Sequence, residues 1–354
     1  MNNSNYLMTA GLAKAVEMAQ VLQMPLLLTG EPGVGKSSLA HYLARKDKLN
    51  YFPVKVHSDT RYRDLFYSFD DIGRFSAAHL SNNKDVENRL SSDYLPVPDN
   101  LSTTDPRLFI RFIGLGAAMM QSINRELPWL QSALREDDYL AGRQSSVVLI
   151  DEIDKAPRDV PNDLLVQLDQ WRFEVPEFGR LKDYPDQGFA LEQQDLKPFV
   201  VITSNQEKTL PDAFMRRCVY YHIDLPPSRA MLRKGAREPD EQLTIDDIVL
   251  ETIRSSSTIS PSAEPLVTES IAAFMEVREL AQARKPGLAE LLNWVYYMAR
   301  HPDKPETIAQ LPNQDIRDRI CSLWLKDRSD HQQLQMQFDE KRYPVLQRWL
   351  GESD

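Results

Sequence analysis

The stretch LLLTGEPGVGKSSLA, Leu26 to Ala40, decides the fold. Three leucines make a short apolar strand, glycines follow at Gly30, Gly33 and Gly35, and KSSLAHYLARK then reads as a helix with Leu39 and Leu43 stacked at i, i+4. Glycines let backbone N–H groups turn inward around a polyphosphate, and the helix N-terminus adds positive potential. The cradle is Gly30, Glu31, Pro32, Gly33, Val34, Gly35, Lys36, Ser37 and Ser38. In such a loop the lysine reaches the β- and γ-phosphates and the hydroxyl after it ligates Mg²⁺, which assigns those roles to Lys36 and Ser37. Kinases, nucleotide switches and ring-forming motors can all begin this way, so the rest of the chain must say what the cradle is coupled to.

The chain has 354 residues, long enough for two or three domains. Hydrophobic residues make up 42% and charged ones 27%, as in ordinary globular proteins. A net charge of −10 argues against broad contact with nucleic acid. No apolar run reaches the ~20 residues of a membrane span, and MNNSNYLMTA lacks the pattern of a signal peptide. Two cysteines, Cys218 and Cys321, fit neither a metal cluster nor a disulfide framework, so the cytoplasm is expected.

Elsewhere, GLAKAVEMAQVLQ reads as a helix over residues 11–23. YFPVKVHSD, SSVVLIDE, FVVITSN and VYYHIDL read as strands. Strands alternating with helices predict an α/β fold, a parallel sheet covered by helices. Residues 81–106 are polar and read as an exposed loop. Composition changes after Pro226-Pro227, and SSSTISPS falls in a polar stretch. The expected organisation is a nucleotide-binding domain over 1–225, a variable linker over 226–263, and helices over 264–354.

Two further stretches carry chemistry. In VVLIDEIDKAPRDVPNDLLVQLDQ, an apolar strand ends in Asp151-Glu152. An acid at that strand end can hold Mg²⁺, and its neighbour can polarise an attacking water. Asp151 is therefore assigned to the metal and Glu152 to the general base, with Asp154 and Lys155 as turn or interface residues. In FVVITSNQEKTLPDAFMRRCVYYHIDLP, Asn205 follows a buried strand, at the sheet edge where strand ends meet ligands. An amide there can orient water or touch the γ-phosphate. Arg216 and Arg217 either cap a short helix or include an arginine finger aimed at a neighbouring subunit.

Taken together, Gly30–Ser37, Val147–Glu152 and Asn205 through Arg217 resemble the Walker A, Walker B, sensor 1 and arginine-finger elements of AAA+ ATPases. Within that group the chain is similar to the MoxR family, on PLLLTGEPGVGKSSLA, TRYRDLFYSFDDIGRF, LIDEIDKAPRDVPNDLLVQLD and ITSNQEKTLPDAFMRRC. The resemblance implies a three-layer αβα P-loop NTPase core followed by an α-helical lid. It also implies Mg·ATP as ligand, a homo-oligomeric ring, and Arg217 as the finger with Arg216 as runner-up. A hexamer is the ring it implies, and remodelling or maturation of a client, often with a von Willebrand factor A domain protein, is the output. Inserts are expected at about 70–115 and, as a hairpin, at about 172–198, both decorating the ring face.

The lid departs from the pattern. AAA+ proteins often place a sensor 2 arginine near the start of a lid helix, and AQARKPGLAELLNW has none inside that helix. Arg284 or Lys285, just before Pro286, is the candidate substitute. Tyr6 and Leu7 are read either as packing on the purine base or as a core anchor. Two other readings stay open: a GTP-dependent motor subunit similar to the McrB branch, and a nucleotide-gated scaffold with negligible turnover.

Overall fold

The computed structural model describes residues 6–80, 102, 105–123, 133–134, 145–179, 188–192, 196–234, 243–255, 264–300, 308, 311–335 and 342–350. By its contacts the chain divides into two units. One comprises Lys14–Thr29 and Lys36–His222, and the other Met1–Ala13, Gly30–Gly35 and Ile223–Asp354.

The chain begins with helix α1, Ala10–Leu22, followed by β1, Leu26–Gly30, and α2, Lys36–Lys46. The central sheet adds β2, Asn50–Lys55. Two short strands follow, β3, Tyr67–Phe69, and β4, Ile110–Phe112, before β5, Ser146–Asp151. Then come the pair β6, Arg172–Glu174, and β7, Gly188–Ala190, and the last sheet strands, β8, Phe199–Ser204, and β9, Val219–Ile223. The sheet runs in the order β2-β5-β8-β1-β9. Its parallel registers include Leu27↔Ile202, Val148↔Val200 and Phe52↔Val148.

The sequence explains that order. SVVLID and FVVITS are nearly continuous apolar runs because helices cover both faces of a parallel sheet. They occupy the middle, where almost every residue is buried. NYFPVK contains Pro53 and is only half buried, and it lies at an edge, where a missing N–H costs no ladder bond. At the other side, Thr29 at the end of β1 is tied through its hydroxyl to Tyr220 (2.9 Å) and His222 (2.8 Å) of β9. The chain is thus an α/β protein with a five-stranded parallel sheet, flanking helices and a helical C-terminal region.

Helix α3, Asp71–Leu80, follows β3, and α4, Gly114–Ser122, follows β4. β3 and β4 pair antiparallel. The end of the 70–115 stretch is core, not surface decoration: Leu108, Phe109, Ile110 and Phe112 are buried, and α4 packs on β2 and β5. Its glycines let the helix approach its neighbours closely: a β-carbon on Gly114 would stand 1.9 Å from Val54 Cγ2 of β2. A β-carbon on Gly116 would stand 1.9 Å from the Phe66 carbonyl oxygen. The polar stretch 81–101 lies outside the described residues.

β6 and β7 also pair antiparallel, with Phe173 opposite Phe189. Residues 180–187, between them, lie outside the described residues. An aromatic cluster joins the two small sheets: Phe173 sits 5.1 Å from Phe66, 5.9 Å from Phe112 and 5.5 Å from Phe189, ring centre to ring centre. Helix α5, Asp159–Gln170, and the short α6, Asp212–Met215, complete this unit.

The other unit carries α7, Arg229–Lys234, α8, Ile245–Arg254, and α9, Glu264–Leu280. It continues with α10, Leu288–Ala299, α11, Asn313–Leu323, α12, Arg328–Gln335, and α13, Pro344–Leu350. Residues 226–263 are not simply a linker. Ile245, Val249, Leu250 and Ile253 of α8 enter the same apolar core as α9 and α10. Thr244 starts that helix with a capping box to Asp247.

Three tryptophans centre this core. Trp294 lies 4.5 Å from Trp324 and 6.1 Å from Trp349, and each indole N–H has an acceptor. Trp294 donates to Ser270 Oγ, Trp324 to the Glu290 carbonyl, and Trp349 to Glu269 Oε1. Buried indoles need such partners. Among the described residues no helix is long and apolar enough to cross a membrane.

Candidate active site

Three strand ends of one sheet edge bring the candidate residues together in the larger unit. Lys36 and Ser37 open α2, Asp151 and Glu152 end β5, and Asn205 follows β8. Ser37 Oγ donates to Asp151 Oδ1 at 2.6 Å. Thr203 Oγ1 donates to the same oxygen, also at 2.6 Å, and accepts from the Glu152 amide at 2.9 Å. Thr203 was passed over in the sequence because a threonine inside a strand looks like an ordinary β-former. Its role comes from register, since β8 lies directly beside β5. Asp151 also faces Tyr51, whose phenol is pushed up to about 12 by burial and then by the Asp151 charge.

Glu152 stands just beyond the strand in a left-handed conformation, φ 61° and ψ 48°. Such a backbone is strained for a residue with a side chain and is typical of functional positions. Its carboxylate is held from several sides. Lys155 Nζ donates to Oε2 at 2.8 Å, Lys55 Nζ lies 3.6 Å away, and Asn205 Nδ2 donates to Oε1 at 3.2 Å. The Lys155 hydrogen bond keeps the Glu152 carboxyl below its ordinary range, against the opposing effect of burial; the charges of Lys155 and Lys55 add to the lowering.

Asp154 and Lys155 do lie on a turn, the 3₁₀ segment Ile153–Lys155, and both also hold the site. Lys155 grips the candidate base. Asp154 is buried, 2% exposed, and accepts from the amides of Asn205 (3.2 Å) and Glu207 (2.9 Å). Lys208 Nζ adds two bonds, to the carbonyls of Lys155 (3.0 Å) and Ala156 (3.2 Å).

Arg216 and Arg217 follow α6 and are both exposed. Buried Phe214 and Cys218 anchor the chain on either side of them. Burial pushes the Cys218 thiol up to about 12, so it stays protonated at neutral pH. Arg217 bonds Asp169 Oδ2 at 2.9 Å and the Ala213 carbonyl at 3.3 Å in its own chain.

In the other unit, the loop Gly30–Gly35 meets helical residues at very short range. A β-carbon on Gly33, at φ 81°, would stand 3.0 Å from that of Ala289. One on Gly35, at φ 93°, would stand 3.3 Å from the Tyr6 ring. Tyr6 thus packs on the loop itself. Arg284 and Lys285 are exposed, while the amides of residues 282–284 donate to the buried carboxylate of Asp330. The cation that reaches the loop is Arg278, at the end of α9. Its guanidinium bonds Glu31 at 2.9 Å and also the Pro286 carbonyl. The sequence offered no signal for this, since Arg278 looks like any basic residue in a last helical turn.

The donor set suits the implied ligands. A hydroxyl and a carboxylate already 2.6 Å apart are hard oxygen donors of the kind Mg²⁺ takes. Glycines at positive φ keep the loop open where side chains would fill it. Among the described residues no cluster of three or more His, Cys, Asp or Glu side chains could hold a metal by itself.

Sheet order, glycine loop and paired acids define a P-loop NTPase fold. A family model, the AAA domain (dynein-related subfamily), matches residues 25–83 and 93–218, just over half of the chain. The chain belongs to that family. No curated protein matches it.

Proposed function

We propose that this chain is a MoxR-type AAA+ ATPase that binds Mg·ATP and works as a homo-oligomeric ring, hexameric by the family resemblance. Its output is the remodelling or maturation of a partner protein, with a von Willebrand factor A domain protein as the implied partner class. It acts in the cytoplasm, without contacting nucleic acid or membrane. The observation that carries the reading is the linkage of Ser37, Asp151, Thr203, Glu152 and Asn205 by hydrogen bonds of 2.6–3.2 Å at one sheet edge.

Each residue has a task. Backbone amides of Gly33–Ser38 and the Lys36 ammonium bind the phosphates. Ser37 and Asp151 hold Mg²⁺, which when bound neutralises charge on the phosphate oxygens. Glu152 accepts the proton of the attacking water, and Asn205 orients that water. Arg217 of a neighbouring subunit, or failing it Arg216, stabilises charge on the transferred phosphoryl group. Arg278 holds Glu31 and so steadies the loop, while the sensor 2 role toward the γ-phosphate stays with Arg284 or Lys285.

A second reading, a nucleotide-gated scaffold with slow turnover, is favoured by the grip of Lys155 and Lys55 on Glu152. Phosphate release measured with ATP and with GTP, over a range of protein concentrations, separates the possibilities. Turnover per subunit that rises with concentration and prefers ATP supports the ring ATPase. A GTP preference would support the McrB-like motor, and saturable binding without phosphate release would support the scaffold.

A further inference from the structure

We infer that Asp154 is a positioning residue for hydrolysis, a buried carboxylate that sets Asn205 against Glu152. This rests on the ATPase reading above. Asp154 lies two residues after Glu152, on the 3₁₀ turn Ile153–Lys155. Its two oxygens are both spent on the loop after β8. Oδ1 takes the Asn205 amide and Oδ2 the Glu207 amide. Between those two amides sits Gln206, left-handed at φ 61°, as Glu152 is on the opposite loop.

A carboxylate suits this place for a chemical reason. Both backbone groups are donors, so the partner must accept twice, and a carboxylate offers two acceptor oxygens in one plane. Bonds to a charged acceptor are also stronger than neutral ones. The two strained turns, 151–156 and 204–208, are thereby fastened to each other. The Lys208 ammonium fastens them a second time, at the carbonyls of Lys155 and Ala156. Asn205 therefore has its backbone fixed by Asp154 and its amide directed at Glu152 Oε1. The water-orienting group and the base move as one body, and Asp154 is the joint.

Asp154→Asn keeps the shape but turns an acceptor into a donor facing a donor. The 354-residue chain is assayed for ATP turnover and, separately, for Mg·ATP affinity. The expected result is a kcat at least tenfold lower, with nucleotide affinity within about twofold of wild type. Combining Asp154→Asn with Asn205→Ala should be little slower than Asn205→Ala alone, because residues acting as a unit are not additive. Lys208→Met, which leaves both Asp154 bonds in place, should lower kcat less, again with affinity kept.

Unchanged kcat in Asp154→Asn would overturn the inference while leaving the ATPase reading standing. So would a parallel loss of nucleotide affinity, or fully additive effects with Asn205→Ala. A wild-type chain that binds ATP without turning it over would sink the ATPase reading and this inference together.

Discussion

Lys155 holds the candidate base of its own chain: its ammonium donates to Glu152 Oε2 at 2.8 Å, and Lys55 approaches the same oxygen at 3.6 Å. A base in this grip stays ionised at unusually low pH and is also poor at accepting a proton. Turnover then depends on how readily the lysine lets go.

Lys155→Met removes the largest cause of the Glu152 shift. A carboxyl lowered in the fold contributes stability that is present above its unfolded pKa and lost as pH falls through the folded one. Without Lys155 the folded pKa rises toward the ordinary carboxylate range. The acid limb of the turnover–pH profile should move to higher pH, and basal turnover at neutral pH should rise by about twofold or more. A pH–rate profile of both proteins checks this; an unmoved acid limb would count against the grip.

Arg217 and Asp169 form an exposed pair, with side chains 47% and 52% exposed. Such pairs contribute about 0–1 kcal/mol. Arg217→Ala should therefore leave the melting temperature nearly unchanged. As a finger acting across subunits it should still cut turnover by about a thousandfold, and adding wild-type chain should restore part of it. Arg216→Ala should do less on both counts. Mixing experiments at fixed total concentration read this out.

Arg278 connects the phosphate loop to the helical core, 12% exposed against 44% for Glu31. Arg278→Ala should weaken ATP affinity by about tenfold, equivalent to about 1.4 kcal/mol. Glu31→Gln should weaken it less, since the Pro286 bond remains. Arg284 and Lys285 are both exposed; whichever of them serves as sensor 2 should also weaken affinity as its alanine variant, and the other should change it little. Titration with a fluorescent ATP analogue separates the four.

Much of this site was legible in sequence because its parts are local. One stretch carries β1, the glycines and α2, and β5 and β8 are unbroken apolar runs ending in polar residues. What stayed hidden was long-range. Asp154 reads as one more acid in an acidic turn, because the amides it accepts lie fifty residues on. Arg278 and Glu31 are further apart still, and nothing near either residue announces the other. Helix α8 was obscured for a different reason. Its apolar stripe of Ile245, Val249, Leu250 and Ile253 is interleaved with Asp246, Asp247 and Glu251, so a polar average conceals an amphipathic helix.

The central claim is that Glu152 is the base of an ATP-hydrolysing site built on Ser37 and Asp151. The most direct measurement compares wild type and Glu152→Gln for Mg·ATP binding and phosphate release in the same preparation. The glutamine variant should bind Mg·ATP as tightly as wild type and release phosphate at least about a hundredfold more slowly. Equal phosphate release by the two proteins would contradict the claim.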